Sequence, residues 1–277
     1  VAVATPWPPQ ATGIADFTAA TMNALSAHFD LTYFTASDAA LGEPLESLPE
    51  RAHEFDAVIA VVGHSHYHLT IMGTVSRLRR MSRIPTIVIA HDTRMTEYYS
   101  ALRSKAGAEA LMLRGQPDAV IDPPFDEQLE DMRLLQNAGM WEVAHSADRL
   151  VMHAIGSAER IHDETGVSPK LLPFAYYRLP QTEAIDSHAR AEARRRIGVP
   201  ETDVFLASLG YVDTRTKMTD VVVEAAAWLT QWGHRVSVHL VGAAPADLER
   251  GLSRRAEQAG IHDFLITGFV TEDVFRD

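Results

Sequence analysis

Three stretches of this chain put reactive side chains where a fold presents them. The first is Gly63-His64-Ser65-His66-Tyr67-His68, directly after the apolar run Ala57–Val62. Alternating histidines invite a metal reading, because imidazole is a common zinc ligand. Residues two apart point in different directions on a helix, and no matching carboxylate set accompanies them. No metal is therefore expected. The open alternatives are capping or hydrogen bonding within a loop, and contact with the hydroxyl groups of a ligand. The second stretch is His91-Asp92, after Ile87-Val88-Ile89-Ala90. Asp92 is placed to cap a helix starting near Thr93, and His91 to stand at a strand end, facing a ligand. The third is Gly210-Tyr211-Val212-Asp213-Thr214-Arg215-Thr216-Lys217. A strand ending in glycine, then Arg215 and Lys217 ahead of a helix, suits a diphosphate. The cations neutralise it and the helix dipole adds to them.

The opening segment supplies a fourth element. The strand-like Val1–Ala4 runs into a Pro-rich loop, then Thr12-Gly13 and a helical pattern at Ile14, Phe17, Leu25 and Phe29. Thr12 caps that helix, and Gly13 lets a ligand approach its backbone closely. Orphan N–H groups at the helix start make this an anion site. The chain has neither G-x-G-x-x-G nor a Walker-type phosphate loop.

These pieces need a scaffold, and the chain alternates accordingly. Strands are expected at Val1–Ala4, Leu31–Phe34, Ala57–Val62, Thr86–Ala90, Arg149–Met152 and Leu171–Pro173. A second series follows at Val204–Ser208, Val236–Val241 and Phe264–Ile266, with helices over Thr219–Gln231 and Pro245–Ala259. Apolar strands alternating with helices predict parallel sheets, with ligands outside the strands' carboxyl ends. The polar stretch Ala175–His188 reads as a hinge between two Rossmann-like domains, 1–178 and 179–277, whose sheets face a cleft. The second domain looks incomplete: its three strands leave an edge and an apolar face uncovered, so the chain is expected to continue beyond Asp277.

Composition narrows the classes. The 277 residues are 46% apolar, enough for two cores. There is no cysteine, which excludes disulfides and thiolate chemistry. A net charge of −12 argues against a general nucleic-acid binder. No secretory leader and no spanning segment is visible, so a cytoplasmic protein is expected. Two basic clusters, Arg77/Arg79/Arg80/Arg83 and Arg190/Arg194/Arg195/Arg196, read as solvated faces. The first is also suited to a peripheral contact with an anionic membrane surface.

In this order the motifs resemble a family-4 glycosyltransferase of the GT-B architecture, over nearly the whole chain. Pro8 to Asp16 is similar to the family's acceptor-domain opening loop. Gly63 to His68 resembles a G-N-x-x-x-H element of one branch, with His64 in place of Asn. Ile89 to Asp92 resembles that branch's L-H-D. Gly210 to Lys217 resembles the donor loop, with Tyr211 where Arg is usual and one extra residue before the lysine. Gly268-Phe269-Val270 resembles the start of the nucleotide-binding half, and the family's E-x7-E beyond it is missing. Glu46/Glu54 and Glu249/Glu257 match that spacing by chance.

The resemblance implies retaining, metal-independent transfer of a sugar from a nucleotide-sugar donor to an acceptor hydroxyl. The acceptor would be a carbohydrate, a lipid-linked compound or another small molecule. No cofactor is implied, since the nucleotide sugar is a substrate. His91 would contact the donor sugar, Lys217 the diphosphate with Gly13, Gly210 and Arg215, while His64, His68 and Asp92 would offer sugar or acceptor contacts. Two rivals remain: a nucleotide-sugar epimerase of the same build, and a two-domain small-molecule binding protein without chemistry.

Overall fold

The computed structural model describes residues 1–10, 12–36, 42–101, 107, 109, 112–113, 138–174, 186–215 and 217–270. The chain divides into two compact units, Val1–Tyr177 and Arg178–Asp277.

Unit 1 is built on a parallel sheet. Its strands are β1 (Ala2–Ala4), β2 (Thr32–Thr35), β3 (Glu43–Pro44), β4 (Val58–Val62), β5 (Thr86–Ala90), β6 (Arg149–Met152) and β7 (Lys170–Leu171), in spatial order β3-β2-β1-β4-β5-β6-β7. Chain order reverses between β1 and β4, the switch point at which such sheets open a crevice. Alanines at positions 2, 4, 60 and 90 are buried and allow close approach of the covering helices. Helix α3 (Leu69–Met81) buries Ile71, Met72, Thr74, Val75 and Leu78, a face of helical period. Helix α1 (Gly13–Leu25) is capped by Thr12, whose hydroxyl accepts from the Ile14 N–H at 3.3 Å. Its buried face is Ala15, Phe17, Thr18 and Met22, not the expected Ile14-Phe17-Leu25-Phe29 stripe. Phe29 lies past the helix end and is 52% exposed. Shorter helices follow: α2 (Leu48–Arg51), α4 (Thr96–Ser100), α5 (Trp141–Ser146) and α6 (Ile155–Thr165).

Unit 2 has α7 (Ser187–Arg196), β8 (Val204–Leu209), α8 (Thr219–Gln231), β9 (Val236–Val241), α9 (Ala246–Gln258) and β10 (Asp263–Ile266). The three strands are parallel in the order β10-β9-β8. Alternation sends Val236, Val238 and Leu240 to one face, where they pack with Val223 and Ala226 of α8 and Leu252 and Ala256 of α9. The other face carries Ala207, His239 and Leu265 in register. Leu209 and Leu265 are 56% and 43% exposed.

The stretch read as a hinge falls outside the described residues over 175–185, as does the end of the chain, 271–277. Its last part is helical: Asp186 caps α7, accepting from the Ala189 N–H at 2.8 Å. Arg194 is not part of a solvated face. It is buried, and its guanidinium donates to the carbonyls of Pro200 and Asp203 at 2.8 and 2.5 Å. In the other cluster, Arg77 pairs with Glu50 and Arg79 with Asp148, so part of that charge is neutralised within the fold.

Candidate functional site

At the switch point of unit 1, Gly63 directly follows β4 and α1 begins at Gly13. A Cβ on Gly63 would stand 2.3 Å from Ile14 Cδ1, 2.7 Å from Asp92 Oδ2 and 3.1 Å from His68 Nε2. Only glycine lets these three elements meet. Asp92 Oδ2 accepts from the His64 N–H and lies against His64 Nδ1, both at 2.9 Å. His64 Nε2 faces Glu97 Oε2 at 3.3 Å, and His66 Nδ1 faces Glu97 Oε1 at 3.6 Å. His64 thus bridges carboxylates at the end of β5 and the start of α4. Burial alone would raise the Asp92 pKa; the hydrogen bonds and charge of His64 outweigh it and hold the carboxyl below its ordinary value. Gly63→Ala is expected to push Asp92 off His64 and lower stability by about 1–3 kcal/mol. A melting temperature equal to wild type would contradict this close packing.

Among the described residues, His68 makes no side-chain hydrogen bond to that network. The chain turns through a single 3₁₀ turn, His66–His68, which sends His68 into the core at 0% exposure. The Nε2 of His68 lies beside Gly63, 3.1 Å from where a Cβ would stand. Asp92 and His64 do stand at the strand ends as expected.

His91 sits where β5 leaves the sheet, its N–H still donating to the Val62 carbonyl at 3.0 Å. Its ring packs edge-on against Phe17 of α1 at 4.7 Å and lies tilted against His153, just after β6, at 4.7 Å. Phe174 closes the group, 4.6 Å from Phe17 and 5.1 Å from His153. His153 Nδ1 donates to the Leu172 carbonyl at 2.8 Å. Among the described residues, the Nε2 atoms of His91 and His153 are both buried without a hydrogen-bond partner.

Burial pushes the His91 pKa down to about 4, and the neighbouring His153 adds to the shift. Burial likewise lowers that of His68 to about 4. A histidine titrating near 6.5 when unfolded and near 4 when folded binds its proton first in the unfolded state. Stability from both residues is complete above pH 6.5 and is lost as pH falls toward 4. The melting temperature is expected to drop over that interval. His68→Leu, which removes one such group, should flatten the slope. An unchanged slope would mean that His68 titrates normally.

In unit 2, β8 runs out into Gly210, whose N–H donates to the Val241 carbonyl at 2.9 Å. Gly210 has φ +118°, and Gly242 has φ +158°. A Cβ on Gly242 would fall 1.8 Å from the Gly210 carbonyl oxygen, so this crossing of two strand ends requires glycine. The loop between is tied by Asp213. Its carboxylate accepts from the Arg215 N–H at 2.8 Å and the Lys217 N–H at 3.3 Å, and its carbonyl accepts from the Thr219 N–H at 2.9 Å. Met218 enters α8 at φ +51°, the one non-glycine residue with positive φ among those described. The Lys217 chain folds back over Gly210, with Cε 3.4 Å and Nζ 3.9 Å from where a Cβ at 210 would be. Arg215 and Lys217 are both exposed.

No family model matches this sequence, and no curated protein matches it. Solved structures do. The chain superposes over 98% of its length on 70% of HepE from Anabaena, a structure with UDP and glucose, with TM-score 0.57 and 12% identity. It covers 71% of WaaG, a glycosyltransferase involved in lipopolysaccharide biosynthesis, with TM-score 0.58 and 15% identity over 99% of this chain. A third match is the E. coli trehalose-6-phosphate protein bound with UDP-2-fluoro glucose, with TM-score 0.53 and 10% identity over 99% of this chain and 75% of that one. The fold is that of the GT-B glycosyltransferases.

In this GT-B chain the expected residues fall in two groups, each on its own unit: Gly13, His64, His91 and Asp92 at the carboxyl end of the first sheet, and Gly210, Arg215 and Lys217 at that of the second. Open space surrounds the position of a Cβ on Gly13. Among the described residues, no three His, Asp or Glu side chains converge as a metal set, and no helix is long and apolar enough to cross a membrane. Sequence reading missed Glu97, His153, Phe174, Asp213 and Gly242. For His153 a signal existed: it follows an apolar strand just as His91 does.

Proposed function

We propose that this chain is a nucleotide-sugar-dependent glycosyltransferase, acting with retention and without a metal. The observation that carries the reading is the Lys217 amine folded over Gly210, at a strand's carboxyl end and ahead of the α8 N-terminus. A cation at a strand's carboxyl end, ahead of a helix N-terminus, fits a diphosphate leaving group. The fold supports it, since HepE and the E. coli protein carry UDP or a UDP sugar in structures of that fold. The donor is a nucleotide sugar held by Gly210, Arg215 and Lys217, and Gly13 is a phosphate-binding residue on the first unit. His91 contacts the donor sugar, while His64 and Asp92 meet the sugar or the acceptor hydroxyl. Cations and helix dipoles stabilise the departing diphosphate while the acceptor attacks on the same face. The acceptor-binding role falls to 1–178 and the donor-binding role to 179–277, in a cytoplasmic protein whose arginines on α3 touch a membrane surface.

The test is a thermal-shift screen of UDP, GDP, ADP and dTDP sugars, followed by release of free nucleotide. Binding without release would identify a binding protein instead. Activity is expected to survive EDTA. Loss with EDTA and recovery with a divalent cation would overturn the metal-free mechanism. The anomeric configuration of the product, read by NMR, decides retention.

A further inference from the structure

Helix α8 is apolar on two opposite sides. Its inner side, with Val223 and Ala226, packs in the core of unit 2. Its outer side carries Val221, Ala225, Trp228 and Trp232, with Glu224 among them. Trp228 is 55% exposed, Trp232 69% and Val221 45%. Helix α9 lies on the same face of the sheet and shows a solvated outer side: Asp247, Glu249, Arg250, Arg254 and Glu257 are all exposed. A helix that is apolar on both sides is one that is covered on both sides.

The shape of the outer side says what the cover is. Residues four apart form rows along a helix. Val221, Ala225 and Leu229 make a low row, and Glu224, Trp228 and Trp232 a tall one beside it, around a groove of about 460 Å³. A surface with a ridge next to a furrow complements itself across a two-fold axis. We propose that α8 is a self-association face: two copies of this chain pack α8 against α8 antiparallel, the Trp228–Trp232 ridge of each in the Val221–Ala225 furrow of the other. In a parallel pair ridge would meet ridge, and Glu224 would face Glu224. The antiparallel pair sets large against small, separates the carboxylates and opposes the helix dipoles. The face carries no lysine or arginine, so nothing in it draws an anionic lipid surface. The uncovered parts of the two tryptophans come to roughly 300 Å², and with exposed Val221, Glu224, Ala225 and Gln231 each copy offers about 600 Å². A pair would bury about 1,200 Å², the lower end for a specific interface, which makes a weak dimer, half formed near about 10–100 µM.

The experiment is sedimentation velocity on the full chain over about 1 to 300 µM. Wild type is expected to pass from monomer to dimer across that range. Trp228→Lys alters the ridge and Ala225→Glu the furrow. Both positions are exposed, so each variant should melt as wild type does at low concentration, while its dimer dissociation constant rises about tenfold or more. A one-to-one mixture of the two tests the two-fold packing itself. One contact then keeps Trp228 against Ala225, the other sets the introduced lysine against the introduced glutamate, and dimer should reappear. A further readout needs no variant: Trp228 and Trp232 are two of four tryptophans, so wild-type emission should move to the blue as dimer forms. A wild type that stays monomeric throughout, single variants that associate as tightly as wild type, a mixture that stays monomeric, or a constant emission maximum overturns the proposal. So does a blue shift of dilute wild type that appears only on adding phosphatidylglycerol vesicles, which would make the face a lipid contact.

Discussion

Lys217→Ala is expected to raise the dissociation constant of a nucleoside diphosphate about 10- to 100-fold in calorimetry. Losing a charge-assisted contact removes roughly 1.5–3 kcal/mol of binding energy. The loop geometry makes this a clean measurement. Asp213 holds the Lys217 backbone through its own N–H, at 3.3 Å to each carboxylate oxygen, so the substitution leaves the loop's ties in place. The side chain is exposed and contributes little to the core of unit 2. Stability should therefore stay near wild type while affinity falls. Lys217→Arg should recover much of the loss, because charge at this position matters more than head-group shape. Arg215→Ala should cost less, since among the described residues only Lys217 lies over Gly210. Affinity unchanged in Lys217→Ala would remove this residue from the site and with it the chief support for a diphosphate ligand.

The strand–helix alternation was legible because each buried parallel strand is a short, continuous apolar run. β5 occurs at the expected Thr86–Ala90, β9 at Val236–Val241 and α8 at Thr219–Gln231. β3 was invisible: a two-residue edge strand, Glu43–Pro44, has no apolar pattern, and its pairing comes from β2. The placement of His91, Asp92, Gly210 and Lys217 followed from strand ends alone. The burial of His68 was not legible, because alternation along the chain says nothing of a 3₁₀ turn, which swings the third histidine inward. Gly242 carried no local signal; its need arises from the Gly210 carbonyl, 32 residues away in sequence. The helical stripe of α1 failed at Phe29 because the helix ends at Leu25, before the next turn could return that ring to the core.

The other large effect is expected at His91. It stands at the end of a buried strand, anchored by its N–H to Val62, and its ring belongs to the Phe17–His153–Phe174 group. A ring held this way is either a sugar contact or a packing residue, and one variant separates the two. If it contacts the donor sugar, His91→Ala should lower kcat and kcat/KM together by about 10- to 100-fold, with only a modest change in melting temperature. If it only packs, the same change should cost about 1–3 kcal/mol of folding stability and leave the folded fraction active. The pH profile adds an independent check. With its pKa pushed down to about 4, His91 is neutral across the physiological range and acts as a hydrogen-bonding group, not as a cation. Turnover should therefore show no acid limb from this residue near pH 6.5. A limb there that disappears in His91→Ala would mean that the ring titrates as an exposed imidazole and is not enclosed as described. A marked loss of stability with normal turnover would take His91 out of the reaction, and the sugar would have to be held from elsewhere on the first sheet's carboxyl edge.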